Sequence, residues 1–523
     1  MKKIFLIIGL TGLFAAGCNK SLLDTSPEDR YTESNFWVSE QAAQAALTAC
    51  YATLRHEGIW GGASTPLLEE TASPNAYNYG NTMAYNVIAE GLQSATSGGI
   101  IAARWKGAYQ GIGRCNTFLV KVDEVAELSE ETKAYMKAQA LFLRAFYYWM
   151  LAAYYGDAPL ILDAPDKSTQ GDLPRTPKEQ LFAQILTDLN TAAADLPLKN
   201  SAGNQGRATK GAALAMKARV LLFLASPLMN PSGDVSKWQA ARDAAKEVMD
   251  MAGAAGYGLF ENYRALFLPA NENNKEVIFD VQFMFPDQGN SFDLIGRQYN
   301  SNAPLLDLAE AYEMQATGLP ITDPASGYDP TEPYKGRDPR LYATIVYPGD
   351  TFMNVPVTPS RFAITGYGMK KYTIYDKGPA PAGQSDLKDG QSETNFIVLR
   401  YADVLLMYAE AQNEVSGPDQ SVYDAINLVR ERVNMPALTP GHTQEELREL
   451  IRHERRVEFA GEAQYYTDIR RWKTAEVVLN GPIHKYDGSV IETRHFNPNR
   501  DYWWPIAQTE LDLNPELQQT PGY

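Results

Sequence analysis

Residues 399–472 constrain the fold more than any other part of the chain. They read as three helices in succession. In the first, Val404, Leu405, Tyr408, Ala409 and Gln412 recur at i, i+1, i+4, i+5 and i+8, one helical face, and Gly417-Pro418 stops it. In the second, Ala425, Ile426, Val429 and Val433 share a face, and Pro436 ends it, since an interior proline removes a donor and clashes with the preceding turn. The third carries Leu447, Leu450 and Ile451 on its apolar side, then a dense run of arginine and glutamate up to Gly461. There Glu454 and Glu458, and likewise Arg452 and Arg456, set like charges one turn apart, which repel unless the fold supplies opposite partners. The cluster Glu454, Arg455, Arg456, Glu458, Glu462, Asp468, Arg470 and Arg471 therefore reads as a structural ion-pair network in preference to a catalytic or anion site.

Helical patterns also fill the first half. An amphipathic helix is expected over 34–56, capped by Ser39 with Glu40 in its first turn. Trp105, Tyr109, Ile112 and Leu119 mark a face over 100–122, and 130–155, closed by Gly156, completes a helical hairpin with it. Further helices are expected at 177–196, at the alanine-rich 207–224 and at 236–251. Two segments differ. Residues 58–99 scatter Gly61-Gly62, Pro66, Pro74, Gly80 and Gly98-Gly99 among Trp60, Tyr77, Tyr79 and Tyr85. Residues 271–398 are largely irregular. Their clearest strand is 276–285, where Val277, Phe279, Val281, Phe283 and Phe285 alternate with Ile278, Asp280, Gln282 and Met284. A loop holding Asp287, Phe292, Arg297 and Tyr299 follows. The string RDPRL at 337–341 leads into an alternation of Leu341, Ala343 and Ile345 that fits helix or strand. Long irregular segments in compact proteins are often functional.

The N-terminus opens with Met1-Lys2-Lys3, continues through an apolar 4–14 too short to span a bilayer, and reaches Ala15-Ala16-Gly17-Cys18. Small residues ending at a cysteine resemble a bacterial lipobox, although Ala15 stands where leucine is commoner. The resemblance implies a lipoprotein signal peptide over 1–17, lipidation of Cys18 and a tether over 18–33. A multiply acylated cysteine anchors stably, at about 0.8 kcal/mol per buried methylene. The formal charge is −16, and loss of Lys2 and Lys3 takes it to −18. Such an acidic surface disfavours nucleic acid and anionic lipid as partners, while leaving uncharged ligands open. Cys50 and Cys115 lie in apolar helical patterns and read as buried free thiols, with a disulfide between them left open.

Enzyme signatures are sparse. His453-Glu454 begins like H-E-x-x-H, but residue 457 is Val, and the five histidines at 56, 442, 453, 484 and 495 have no ligand spacing. There is no G-x-S-x-G elbow, P-loop or EF-hand spacing, so no cofactor is implied, and a structural calcium among the loop acids has no motif behind it. Paired carboxylates of a glycosidase leave no mark in sequence, because their geometry is spatial. What remains is aromatic rings on loops. A sugar stacks its C–H face on an aromatic ring while Asn, Asp and Arg bond its hydroxyls. Trp60, Tyr77, Tyr79 and Tyr85 form one such group, and Phe285, Asp287, Phe292, Arg297 and Tyr299 a second. Trp105, Trp149, Trp472, Trp503 and Trp504 sit in helices or framework strings and read as core.

The strings RYADVLLMYAEAQNE (400–414), IRHERRVEFAGEAQYYTDIRRW (451–472), LFLRAFYYW…YYGDAPL (141–160) and the closing PIAQTELDLNPELQQTPGY (505–523) resemble the SusD/RagB family of surface nutrient-binding lipoproteins. The resemblance spans nearly the whole chain after the leader. It implies a mostly α fold: a tetratricopeptide-like α-solenoid scaffold with an irregular, loop-rich ligand-binding region and a few short strands. On that reading the body is 34–523, with scaffold at about 34–57, 100–255 and 399–523 and the binding region at about 58–99 and 271–398. The resemblance further implies an outer-membrane lipoprotein, not an enzyme, that captures an oligosaccharide and delivers it to a SusC-like TonB-dependent transporter. The alternatives are a peptide-binding RagB-like protein, a surface glycoside hydrolase, and a helical scaffold lipoprotein with no small ligand.

Overall fold

The computed structural model describes residues 36–62 and 65–523; the leader, Cys18 and the tether over 18–33 lie outside the described residues. Helices longer than six residues are α1 (Glu40–Ala52), α2 (Gly99–Lys121), α3 (Glu130–Tyr155), α4 (Lys178–Asp195), α5 (Lys210–Ala225), α6 (Val235–Ala255), α7 (Tyr401–Ser416), α8 (Gln420–Arg432), α9 (Gln444–Glu458) and α10 (Tyr465–Arg471). Each of α2 to α8 packs on the helix before it, and α9 also packs on α7. The result is a continuous helical stack, the tetratricopeptide-like scaffold expected from the sequence. Local chemistry starts these helices. Side chains of Ser39, Ser129, Thr209 and Asp419 accept from first-turn N–H groups, and Thr443 with Glu446 forms a reciprocal capping box on α9. Each cap is worth about 1 kcal/mol.

Close packing depends on small residues. A Cβ on Gly111 of α2 would lie 2.4 Å from the Tyr147 ring of α3. With only hydrogen there, Tyr147 crosses α2 and donates its hydroxyl to Cys50 O of α1 at 2.7 Å. One glycine thus lets three helices interlock. Cys50 and Cys115 are buried free thiols, and burial pushes the Cys115 thiol well up.

The strands are short and come in antiparallel pairs: β1 (Ala76–Tyr77), β2 (Val277–Val281), β3 (Ala303–Pro304), β4 (Ile345–Val346), β5 (Thr351–Phe352), β6 (Val355–Pro356), β7 (Gly368–Met369), β8 (Phe396–Arg400), β9 (Gly481–His484) and β10 (Val490–Arg494). β1 pairs with β3, β2 with β8, β4 with β7, β5 with β6 and β9 with β10. The strand expected over 276–285 ends at Val281, and its alternation does not separate core from solvent. Phe279 meets Phe142 of α3 edge to face at 4.8 Å, while Asp280 is also buried and accepts from Asn395 Nδ2 at 2.9 Å. The stack itself covers both faces of this strand.

The charged run of α9 finds its partners. Arg400, at the end of β8, donates to Glu276 (2.7 Å), Glu458 (2.6 Å) and Glu462 (2.7 Å). Arg340 reaches Asp338, Glu454 and Glu458; Arg430 reaches Glu454 and Glu313; Arg432 reaches Glu276 and Glu458; Lys371 reaches Glu462. All these side chains are buried. Burial alone would raise Glu458, but Arg432, Arg400 and Arg340 overrule it and hold its carboxyl well below the usual range. A second knot joins Arg455 to Asp403 (2.9 Å) and Asp468 (3.0 Å), and Arg471 to Glu410 (2.5 Å). Against the cost of burial, Arg219 and Arg455 pull Asp403 down to about 2.

Candidate functional site

The β1–β3 pair joins the two irregular regions. Its register sets Ala76 opposite Pro304 and Tyr77 opposite Ala303, with Tyr79 just after β1 and Tyr299 shortly before β3 in the chain. Side chains from the scaffold hold this junction. Asn75 accepts from Arg456 Nε of α9 (2.8 Å), donates to Glu70 Oε1 (2.5 Å) and accepts at its carbonyl from Leu305 N (2.9 Å). Arg494 of β10 donates to the carbonyls of Ser73 (2.6 Å), Thr71 (3.3 Å) and Ala76 (3.0 Å). The backbone is also strained: Asn81, Met83 and Ala84 on one loop and Asn300 on the other take left-handed conformations. Such residues persist only where surroundings force them, and they cluster at ligand sites. Tyr79 and Tyr299 are each 46% exposed, and Tyr77 is half-buried. Burial, then Glu492 and Glu90, raises the Tyr77 phenol. Asn302, 1% exposed between these rings in sequence register, has neither amide atom hydrogen-bonded to protein.

The ring surface continues beyond the residues the sequence singled out. Asn300 Nδ2 donates to Tyr367 O at 2.8 Å, and the Tyr367 hydroxyl lies 3.0 Å from that of Tyr334. Tyr334 stacks on Tyr347 with centroids 4.4 Å apart, and Tyr342 donates to Tyr334 O at 2.7 Å. Tyr334, Tyr342 and Tyr347 are half-buried. Sequence reasoning passed over them because 336–349 was read only for periodicity. The available signal was tyrosine density: 328, 334, 342, 347 and 367 in a Pro- and Gly-rich stretch.

Three predicted ligand residues are corrected to core. Trp60 is 6% exposed and packs against Phe396 (5.2 Å) and Phe146 (6.3 Å). Tyr85 is fully buried, its hydroxyl beside Arg104 Nη2 (3.5 Å). Phe292 is fully buried against Phe283, Tyr372 and Phe396. Trp60 and Tyr85 fold back onto scaffold helices and Phe292 onto the aromatic core of its own region, which loop composition does not reveal. Arg297 is bound to Asp386 (3.0 Å) and Leu387 O (3.2 Å), so it fastens one loop to another. Asp287 is exposed on the turn after Phe285, which stands 47% exposed at the lip of a different cleft. Tyr77 lies in the β1–β3 pair, with the exposed Tyr79 just beyond β1 and the exposed Tyr299 shortly before β3; Trp60, Tyr85 and Phe292 are buried elsewhere. Among the described residues no group of three or more His, Cys, Asp or Glu is placed to hold a metal ion. No described helix is long and apolar enough to cross a membrane.

Glu70, under this junction, is fully buried, with Oε2 lacking a protein partner. Burial lifts its carboxyl to about 7, against the pull of Asn75 and Lys371. The folded chain then holds this proton more tightly than the unfolded chain, so stability falls as pH rises from about 4.5 to about 7. Glu70→Gln keeps the bond to Asn75 and removes that loss. Urea unfolding should show the variant about 2 kcal/mol more stable than wild type at pH 8, with little difference at pH 4.5. Equal stability of the two proteins at both pH values would contradict the assignment.

Two family models match the chain: the SusD family over residues 270–523, and "Starch-binding associating with outer membrane" over residues 22–222. A SusD-like protein P2 from Formosa agariphila is 27% identical across the full length of both chains. A SusD-like protein from Bacteroides ovatus is 29% identical, covering 90% of this chain and 83% of its own. The crystal structure of a SusD-like carbohydrate binding protein from Bacteroides fragilis is 31% identical, covers 92% of this chain and all of its own, and superposes with a TM-score of 0.80. With family models matching over 22–222 and 270–523 and a 31% identical solved structure superposing over 92% of it, this chain belongs to the SusD family.

Proposed function

We propose that the protein is a cell-surface lipoprotein that captures an oligosaccharide on the tyrosine arc of Tyr77, Tyr79, Tyr299 and the Tyr334–Tyr347 stack. The single observation that supports this reading is the β1–β3 pair, which joins the two irregular regions close in sequence to the exposed Tyr79 and Tyr299. Rings held rigidly lose little entropy on binding, and sugar C–H faces stack on them while neighbouring Asn side chains bond hydroxyls. The relatives support the ligand class: one solved neighbour is titled a carbohydrate binding protein, and one matching family model is described as starch-binding and outer-membrane-associated. In this proposal Cys18 is acylated and anchors the body to the outer membrane, facing outward. The captured glycan passes to a SusC-like TonB-dependent transporter, and no bond is made or broken. A combined glycan and peptide array, followed by chromatography of each bound glycan after prolonged incubation, tests this. The expected result is retention of one glycan class, recovered intact. Retention of peptides alone, or shortened glycan products, would overturn it.

A further inference from the structure

One concavity on the irregular region is lined by none of the arc tyrosines and has different chemistry. It is a cleft of about 500 Å³ walled by Leu268, Ile374, Pro381 and Leu387, with Phe285 at its lip. At its floor sits Asp293, 1% exposed. Its Oδ1 accepts from Ile374 N at 2.7 Å, and its own N–H donates to Ser392 Oγ at 3.0 Å. No cation is bonded to it. Arg264 and Arg297 act on it at longer range: Arg264 bonds Asp376 and the carbonyls of Thr373 and Tyr375, Arg297 bonds Asp386 and Leu387 O, and Arg264 Nη1 and Arg297 Nε are left without a protein partner. Glu393 is the other charged group lining the cleft, so the lining is acidic and otherwise mostly apolar. Asp293 and Tyr299 share one short helical segment, so cleft and arc are fed by the same stretch of chain.

A carboxylate under an apolar cleft without a bonded cation is an incomplete ion pair. Burial raises Asp293 to about 6, against Ile374 N–H, Ser392, Arg264 and Arg297, so it is ionised at neutral pH at a desolvation cost. An incoming cation relieves that cost; a neutral hydroxyl does not. The walls and the Phe285 ring suit an apolar or aromatic body, and an aromatic face also attracts the cation itself.

We propose that this cleft binds a ligand carrying a primary ammonium group on an apolar or aromatic body, the ammonium paired with Asp293 and the body covered by Phe285. The site does not depend on the glycan-binding reading of the tyrosine arc.

Calorimetric titration of the full chain with phenethylamine, and with its neutral counterpart 2-phenylethanol, tests the proposal. At pH 7.5 the amine should bind at least about tenfold more tightly than the alcohol, the scale of one partly buried ion pair. Asp293→Asn, which keeps the acceptor for Ile374 N–H, should remove that preference and leave alcohol binding unchanged. Lowering the pH to 5 should weaken the amine in wild type as the variant does, because Asp293 is then mostly protonated. Glu393→Gln, measured at both pH values, separates the contribution of the second acid. Phe285 is exposed, so Phe285→Ala should fold normally and weaken both ligands. Equal affinity for amine and alcohol in wild type would overturn the proposal, as would an amine preference that survives Asp293→Asn.

Discussion

Arg400→Ala is expected to yield no folded protein at 37 °C. Arg400 is 1% exposed and is the shared cation of Glu276, Glu458 and Glu462, with a further bond to Glu458 O at 3.1 Å. These groups lie at the start of β2, on α9 and just after it, so one guanidinium ties the last helices to the sheet pair. Removing one partner of a buried ion pair costs about 3–5 kcal/mol, because the remaining charge stays desolvated and uncompensated. Here three carboxylates lose a partner together, and the net stability of a protein is only about 5–15 kcal/mol. Arg432 and Lys371 still serve Glu276, Glu458 and Glu462, but each is already committed. Arg400→Lys should fold but melt lower, since an ammonium lacks the planar fork that spans several carboxylates. The check is soluble yield and circular dichroism of both variants. A folded Arg400→Ala protein melting within a few degrees of wild type would show that the network contributes little.

The second large effect concerns ligand affinity. Tyr79→Ala combined with Tyr299→Ala should weaken binding of whichever glycan the array identifies by about 100-fold, taking about 1–1.5 kcal/mol per exposed ring. The losses need not add, because both rings would contact one ligand. Both side chains are nearly half exposed, so the melting temperature should barely move. A parallel Tyr85→Phe variant removes a hydroxyl from a fully buried ring and should leave affinity intact. Full affinity in the Tyr79/Tyr299 double variant would remove the tyrosine arc from the binding site.

The helices were legible because their causes are local. Ser39, Gly156, Gly417 and Thr443 act within a turn of themselves, and faces such as Ala425, Ile426 and Val429 repeat at the helical period. The charged run on α9 was legible as a demand for partners, because like charges sit one turn apart. Which residues meet that demand was not: Arg340, Arg400 and Glu276 are distant in sequence and carry no mark that pairs them with α9. The site was legible only as regions. Trp60 and Tyr79 share one loop composition, yet Trp60 falls against Phe146 and Phe396 while Tyr79 faces solvent. That difference is set by tertiary packing. Tyr334 and Tyr347 went unnoticed for a different reason: the alternation of Leu341, Ala343 and Ile345 between them says nothing of which rings meet, and their stacking is a tertiary contact.

The helices α6 and α7 touch although residues 256–400 intervene, and β2 with β8 ties that excursion at its neck. The helices of the stack thus meet across the excursion, which returns to them at fixed points: Arg340 and Lys371 reach the acids at the end of α9 and just after it, and Glu313 reaches Arg430 of α8. Between those fixed points, exposed turns of the excursion can change length with the neck held by β2 and β8, since lengthening a closed loop costs only about 0.6 kcal/mol per doubling. The recognition surface is thereby a tool head whose face can be recut while its shank, Glu313, Arg340 and Lys371, stays seated in the handle.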